Sequence, residues 1–390
     1  MKILIAMKNF FPPLGGAELS LLALANKLGE NNEVHSLFRK TALTPEKFQH
    51  VFTIKDFPRP LGKEFHWLDM NYQAKQWKKI ALAMIGKINP DLIITQLEYM
   101  PPTVFAAKMH GIKTIVFVRS YEHFCPNAFY DGVEKCKKLE IGSCWQCLSL
   151  MDRIQYYSLK KCMDAHKYGI KNADLVIANS KFVAEIIKKF FEVHAEVVHP
   201  FIDLERCRSV EQSGDKEKKY ILAMKLSKRK GLITFIKIAE IMKNREFLIL
   251  GGADYGSDIS LGKKLQNTKN IKIIDWSDNP KKIFQKTRLL LFPSMWPEPF
   301  GRGVIEAGIN GIPTIASNVG GLSESVGKGG ILIDDFGNPL AWVESIKKLD
   351  DDLYYSELSK AAEENAKEFD FSKKFGEFRS IVAKSLNLNI

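Results

Sequence analysis

The segment Pro297–Gly308 carries two carboxylates, Glu298 and Glu306, with seven residues between them and glycines at 301, 303 and 308. It follows the apolar run Leu289–Phe292 and ends in helical composition. Glu298 is therefore placed in an entry loop and Glu306 one or two turns into a helix. Pro299 suits the turn, and Gly301 and Gly303 let backbone amides approach a ligand closely. Two carboxylates beside exposed amides can grip several hydroxyls, which points to a sugar rather than a bare phosphate. The same pair also reads as an acidic helix start favoured by the macrodipole. A second candidate is basic. Lys225 and Lys230 flank the turn after the apolar run Lys219–Met224, where they can neutralise an anion or simply be solvated.

A third cluster is Cys125, Cys136, Cys144 and Cys147. Cys144 and Cys147 have the two-residue gap of a thiolate hairpin around zinc, while the gaps of ten and seven are permissive. A structural zinc and a set of packed thiols both remain open. A disulfide framework suits small secreted domains, not a chain of this size. Cys162 and Cys207 have no partners in spacing and read as core residues.

The elements that must position these groups follow from length and pattern. A chain of 390 residues, 45% apolar and 26% charged, predicts two or three ordinary globular domains and excludes disordered or fibrous architectures. No run approaches the roughly 18 apolar residues of a membrane span. The opening Met1–Met7 is too short for a signal-peptide core, so the expectation is a soluble, cytoplasmic protein. The charge of +12 is spread over both halves, with no basic tail or arm. That argues against a nucleic-acid binder and fits phosphorylated ligands or an anionic membrane surface. All eight histidines lie at or before His199, so imidazole chemistry must come from the first half.

Short apolar runs at Lys2–Met7, Glu33–Phe38, Leu92–Thr95, Lys113–Val118, Leu175–Ala178 and Glu196–His199 read as strands. Helical segments, among them Ala17–Leu28, Met70–Lys87 and Lys181–Phe191, lie between them. The pattern restarts at Lys219–Met224, then the helix Leu232–Lys243 and strands Phe247–Leu250, Ile271–Ile274, Leu289–Phe292 and Thr314–Ala316. The polar stretch Glu211–Lys218 reads as a linker. The expectation is α/β, two Rossmann-like domains facing a central cleft: residues 1–205, residues 206–370, and a C-terminal helix at 371–390 packing back toward the first domain. In Met70–Lys87, Trp77, Leu82 and Ile85 interleave with Lys75, Lys78, Lys79 and Lys87. This suggests either a surface helix for an anionic bilayer or a cover helix with a wet basic face.

Taken in order, these pieces resemble glycosyltransferases of family 4, which have the GT-B fold. The segment from Glu298 to Glu306 resembles the family's acidic signature. Gly15, Gly16 and Glu18 resemble its N-terminal Gly-Gly loop, and Ala173–Ser180 the strand that ends its first domain. Lys225–Gly231 resembles its basic donor-phosphate loop, and Ser317–Gly321 the Gly-rich turn after the signature. The likeness spans essentially the whole chain.

The resemblance implies a retaining transferase that uses a nucleoside diphosphate sugar and a lipid-linked or saccharide acceptor in cell-envelope glycan synthesis, at the inner face of the membrane. It implies that Glu306 holds the ribose, that Glu298 with amides near Phe300 and Gly301 holds the sugar, and that Lys225 and Lys230 neutralise the diphosphate. The Gly15-Gly16 loop would face the same anion. The leaving diphosphate would help to take the acceptor proton, with no catalytic metal. Lys225 stands where the family usually has Arg, and Arg119 and Ser120 stand where it commonly has His and Asp. Arg119 would then serve a phosphate or an acidic sugar, with His123 displaced behind it. A non-catalytic sugar-nucleotide binder of the same fold is the alternative. A dinucleotide oxidoreductase would need Gly-x-Gly-x-x-Gly after the first strand, and only adjacent Gly15 and Gly16 are present.

Overall fold

The computed structural model describes residues 1–8, 15–39, 51–54 (backbone), 65–121, 123–125, 145, 147–209, 218–256, 258–275 and 281–390. The chain divides into two units, Met1–Phe201 with Lys374–Ile390, and Ile202–Lys373. The linker expected at 211–218 lies, except for Lys218, outside the described residues.

In the first unit seven parallel strands form one sheet: β1 (Lys2–Ala6), β2 (Glu33–Arg39), β3 (Val51–Ile54), β4 (Leu92–Gln96), β5 (Lys113–Val118), β6 (Leu175–Ala178) and β7 (Glu196–Val197). Their spatial order is β3-β2-β1-β4-β5-β6-β7, so the chain reverses direction across the sheet between β1 and β4. Ile3, Leu4, Ile5 and Ala6 are all fully buried, as a strand covered on both faces requires, and this is why β1 reads as an unbroken apolar run. The helices are α1 (Gly16–Leu28), α2 (His66–Ile88), α3 (Met100–Met109), α4 (Leu150–Ile154), α5 (Tyr156–Asn172) and α6 (Lys181–Phe191). Ser180 caps α6 by accepting a hydrogen bond from the Val183 amide at 3.0 Å. The C-terminal helix Phe371–Leu386 contributes Phe378, whose ring lies 5.8 Å from those of Phe117 and Phe201.

The apolar face of α2 fits the cover-helix reading. Trp77 and Ile85 are buried, Trp77 Nε1 donates to Thr103 Oγ1 at 2.9 Å, and Leu82 packs on the same cluster as Leu4 and Ile93. The side chains that suggested a bilayer surface are core residues, and only the lysine face remains wet. Among the described residues, no helix is long and apolar enough to cross a membrane.

In the second unit six parallel strands, β8 (Tyr220–Ser227), β9 (Glu246–Asp254), β10 (Ile271–Ile274), β11 (Thr287–Phe292), β12 (Thr314–Ser317) and β13 (Gly330–Ile333), take the order β10-β9-β8-β11-β12-β13. Here the reversal falls between β8 and β11. Helix Leu232–Ile241 and helix Pro339–Lys348 cover one face of this sheet through Phe235, Ile236, Trp342 and Ile346. Crevices outside the carboxyl ends of strands at such reversals are where open α/β sheets bind ligands. Each unit has one, and the chemistry-bearing residues border both.

Candidate functional site

In the second unit, the loops that follow β8 and β11 are joined. The Met295 amide donates to the Arg229 carbonyl at 2.7 Å. Gly231, at φ +80°, sits so close that an added Cβ would lie 1.8 Å from the Pro293 carbonyl oxygen. Only glycine can occupy that position, and its close approach sets the neighbouring Lys230 beside the acidic segment. Lys230 Nζ is 3.7 Å from Glu298 Oε1. Glu298 is 6% exposed, and the same oxygen accepts from Ser294 Oγ at 3.2 Å and Trp296 Nε1 at 3.0 Å. Two hydrogen-bond donors and the Lys230 ammonium hold the carboxylate through one oxygen, while Oε2 has no partner among the described residues.

The Gly-rich turn after β12 completes this wall. The Gly321 amide donates to the Glu298 carbonyl at 2.7 Å, and Gly320 (φ +64°) packs so closely that a Cβ would come within 2.4 Å of that carbonyl. Glu306 lies in the short helix Arg302–Gly308, which starts at Gly301. Its Oε1 takes a 2.6 Å hydrogen bond from Arg302 Nε, one turn earlier. Lys225 is exposed at a bulge in β8, where the register with β9 shifts between Met224 and Leu226, and its backbone is left-handed at φ 45°. A lysine in that conformation is uncommon, and such strain clusters at ligand sites. Phe300 is buried in the apolar cluster with Ile305 and Phe369. The unit thus gathers Lys230 and Glu298 at one point, with Lys225 and Glu306 on the elements either side of it.

In the first unit the glycine loop is pinned from an unexpected quarter. Arg119, buried beneath it, donates through Nη1 to the Ala17 carbonyl at 2.9 Å and to Gln96 Oε1 at 3.3 Å. Its guanidinium carbon lies 4.2 Å from the Phe117 ring centroid. Arg119 therefore anchors the first turn of α1, just after Gly15 and Gly16. Burial raises the Glu18 carboxyl above its usual range, with Glu98 adding repulsion and Arg119 opposing it. Lys8, after β1, bonds Glu98, after β4, at 2.8 Å. His123 is fully buried, and its Nδ1 lies 2.9 Å from His166 Nδ1. Burial lowers both imidazoles, that of His166 to about 4. Sequence reasoning missed Lys8, Glu98 and His166, although the ends of β1 and β4 at a sheet reversal would have pointed to the first two.

Cys136 and Cys144 lie outside the described residues, while Cys125 is half-buried and Cys147 exposed. Among the described residues, no group of three His, Cys, Asp or Glu side chains could hold a metal ion. Cys162 and Cys207 are buried, and burial pushes both thiols up to about 12, so they are inert packing groups.

Known protein families and solved structures resemble the chain along its length. Residues 14–206 match the family described as Glycosyltransferase Family 4, and residues 204–369 match Glycosyl transferases group 1. A 42.6 kDa protein of the cps region of Klebsiella pneumoniae is 24% identical over 83% of this chain and 87% of its own length. A D-inositol 3-phosphate glycosyltransferase of Paenarthrobacter aurescens is 27% identical over 39% of this chain and 40% of its own. Among solved structures, a sucrose-phosphate synthase from Thermosynechococcus elongatus superposes with a TM-score of 0.72 at 17% identity, covering 99% of this chain and 100% of that one. Anabaena HepE in complex with UDP gives 0.69 at 18% identity, covering 98% and 100%.

Proposed function

Because the chain belongs to glycosyltransferase family 4 and has the GT-B fold, we propose that this enzyme moves a sugar from a nucleoside diphosphate to a hydroxyl acceptor with retention at the anomeric carbon. The reading rests on one observation above the rest: Lys230 and the restrained carboxylate of Glu298 meet where β8 and β11 diverge. A departing nucleoside diphosphate gains negative charge as the glycosidic bond breaks, and a fixed ammonium beside it lowers that barrier. In this reading Lys230 and Lys225 take the diphosphate. Glu298 Oε2 accepts from sugar hydroxyls, with amides near Phe300 and Gly301 on the same ring, and Glu306 accepts from the ribose. Gly15 and Gly16 offer amides at the start of α1. The leaving diphosphate receives the acceptor proton, so neither a protein base nor a catalytic metal is needed.

The cps-region relative supports a place in polysaccharide synthesis, and this reading puts the reaction at the cytoplasmic face of the membrane. The HepE structure with UDP-glucose makes that compound the first donor to try. The test is release of UDP from UDP-glucose, followed across a panel of nucleoside diphosphate sugars, with the anomeric configuration of the product read by NMR. An inverted product would overturn the mechanism. Binding without turnover of any donor, with water or acceptor, would favour a non-catalytic sugar-nucleotide binder.

A further inference from the structure

A cavity of about 550 Å³ opens within the first unit among α2, α3 and α5, reaching Lys8 and Glu98 at the ends of β1 and β4. That volume is typical of a small-molecule site. Its walls are apolar, with Met70, Pro102, Phe105 and Tyr168 among them. Its charged groups are four lysines and one carboxylate, and the carboxylate, Glu98, is already neutralised by Lys8. Lys78 Nζ sits 3.3 Å from the Phe105 ring centroid. Lys75 and Lys161 have no acidic partner among the described residues.

The buried histidine pair adds a directed donor. His166 is 3% exposed and lines the cavity. The 2.9 Å contact between its Nδ1 and His123 Nδ1 requires one hydrogen between them, because both rings are neutral. His123 Nε2 is buried with no partner. A buried unpaired N–H is costlier than a buried lone pair. His123 therefore carries its proton on Nδ1 and donates it, leaving Nε2 bare. His166 Nδ1 accepts, so the His166 proton resides on Nε2, which has no partner among the described residues. The cavity offers an oriented N–H and unpaired ammoniums against apolar walls. Such a site selects an acceptor-rich anion joined to an apolar body.

We propose that this cavity binds an anionic amphiphile, an apolar chain bearing a phosphate, with the phosphate on His166 Nε2–H and countercharge from Lys161 and Lys75. The chain lies against Phe105, Pro102 and Tyr168. Where such a molecule also carries a hydroxyl, its use as the acceptor rests on the transfer reading above; that it binds here rests on the cavity alone.

The test is calorimetric titration of the full chain with n-decyl phosphate below its aggregation limit, beside n-decanol and inorganic phosphate. The expected result is one decyl phosphate per chain, with the other two probes at least tenfold weaker. Equal affinity for inorganic phosphate would reduce the site to a bare anion site, and equal affinity for decanol to an apolar hole; either overturns the proposal. Ala165→Trp, which fills the cavity, and Lys161→Glu, which reverses a charge on its wall, should each cost tenfold or more in decyl phosphate affinity. The second variant carries the test if the first does not fold. Unchanged binding in a folded variant of either kind would refute the assignment. UDP binding measured on the same samples separates the two readings. A wild-type chain that takes decyl phosphate but no nucleotide would sink the transfer reading and leave the cavity standing.

Discussion

Replacing Lys230 by alanine tests the charge arrangement at the heart of the second unit. The side chain is 34% exposed and its Nζ lies 3.7 Å from Glu298 Oε1. Glu298 keeps its hydrogen bonds from Ser294 and Trp296 when the lysine is gone, so its carboxylate stays in place. A partly solvated pair of this kind contributes about 1 kcal/mol or less to stability, and Tm should fall by no more than about 4 °C. Catalysis is another matter. Removing a fixed donor where leaving-group charge develops costs on the order of a hundredfold in rate, or about 2.7 kcal/mol of transition-state stabilisation. Without Lys230, the Glu298 charge would also face the donor diphosphate unscreened, which adds to the loss. The assay is kcat/KM for nucleoside diphosphate release, on protein whose melting curve is recorded in parallel. A double-mutant cycle with Glu298→Gln then shows how Lys230 acts. Additive losses place it on the diphosphate, and a non-additive pair means that it works by holding Glu298. A folded Lys230→Ala enzyme within about threefold of wild type would refute the reasoning.

Glu306→Ala should weaken nucleotide binding by about 1–3 kcal/mol, because ribose hydroxyls lose their acceptor and Arg302 loses its partner. Unchanged UDP affinity by calorimetry removes Glu306 from the nucleotide site. The buried His166 should make the first unit acid-sensitive. Its folded pKa of about 4 lies below the ordinary 6.5, so the unfolded chain binds more protons between those values. Stability should therefore fall as pH drops from about 6.5 toward 4, by roughly 3 kcal/mol at most. Chemical denaturation of wild type and His166→Phe at pH 7 and pH 5 checks this, and equal pH slopes would contradict it. Elemental analysis of protein purified without chelator settles the cysteine cluster. About one zinc per chain supports a structural site at Cys125, Cys136, Cys144 and Cys147, and metal-free, fully active protein rules it out.

Much of the fold was legible because its signals are local. Strands such as Lys113–Val118 and Leu175–Ala178 are buried on both faces, so apolar runs of the right length identify them, and the glycines at 231, 301 and 320 mark left-handed loop positions in the second unit. The acidic segment and the basic turn could each be read from their own residues. That Lys230 comes within 3.7 Å of Glu298 could not, because a sheet reversal and a backbone contact at Gly231 bring the two loops together. Two strands escaped the pattern: Val51–Ile54, a short strand paired among the described residues with β2, and Gly330–Ile333, which begins in a run of glycine. The apolar residues of α2 had the same spacing whether they faced lipid or the sheet, and only packing decided for the core. Arg119 reads as a group for an anion, and only the fold shows that its Nη1 also holds the Ala17 carbonyl. The meeting of His123 with His166, and the cavity that His166 lines, join residues from separate elements. Periodicity reports which face of an element is apolar. Tertiary packing alone decides what that face meets, which polar groups lose water, and which cations stay unpaired.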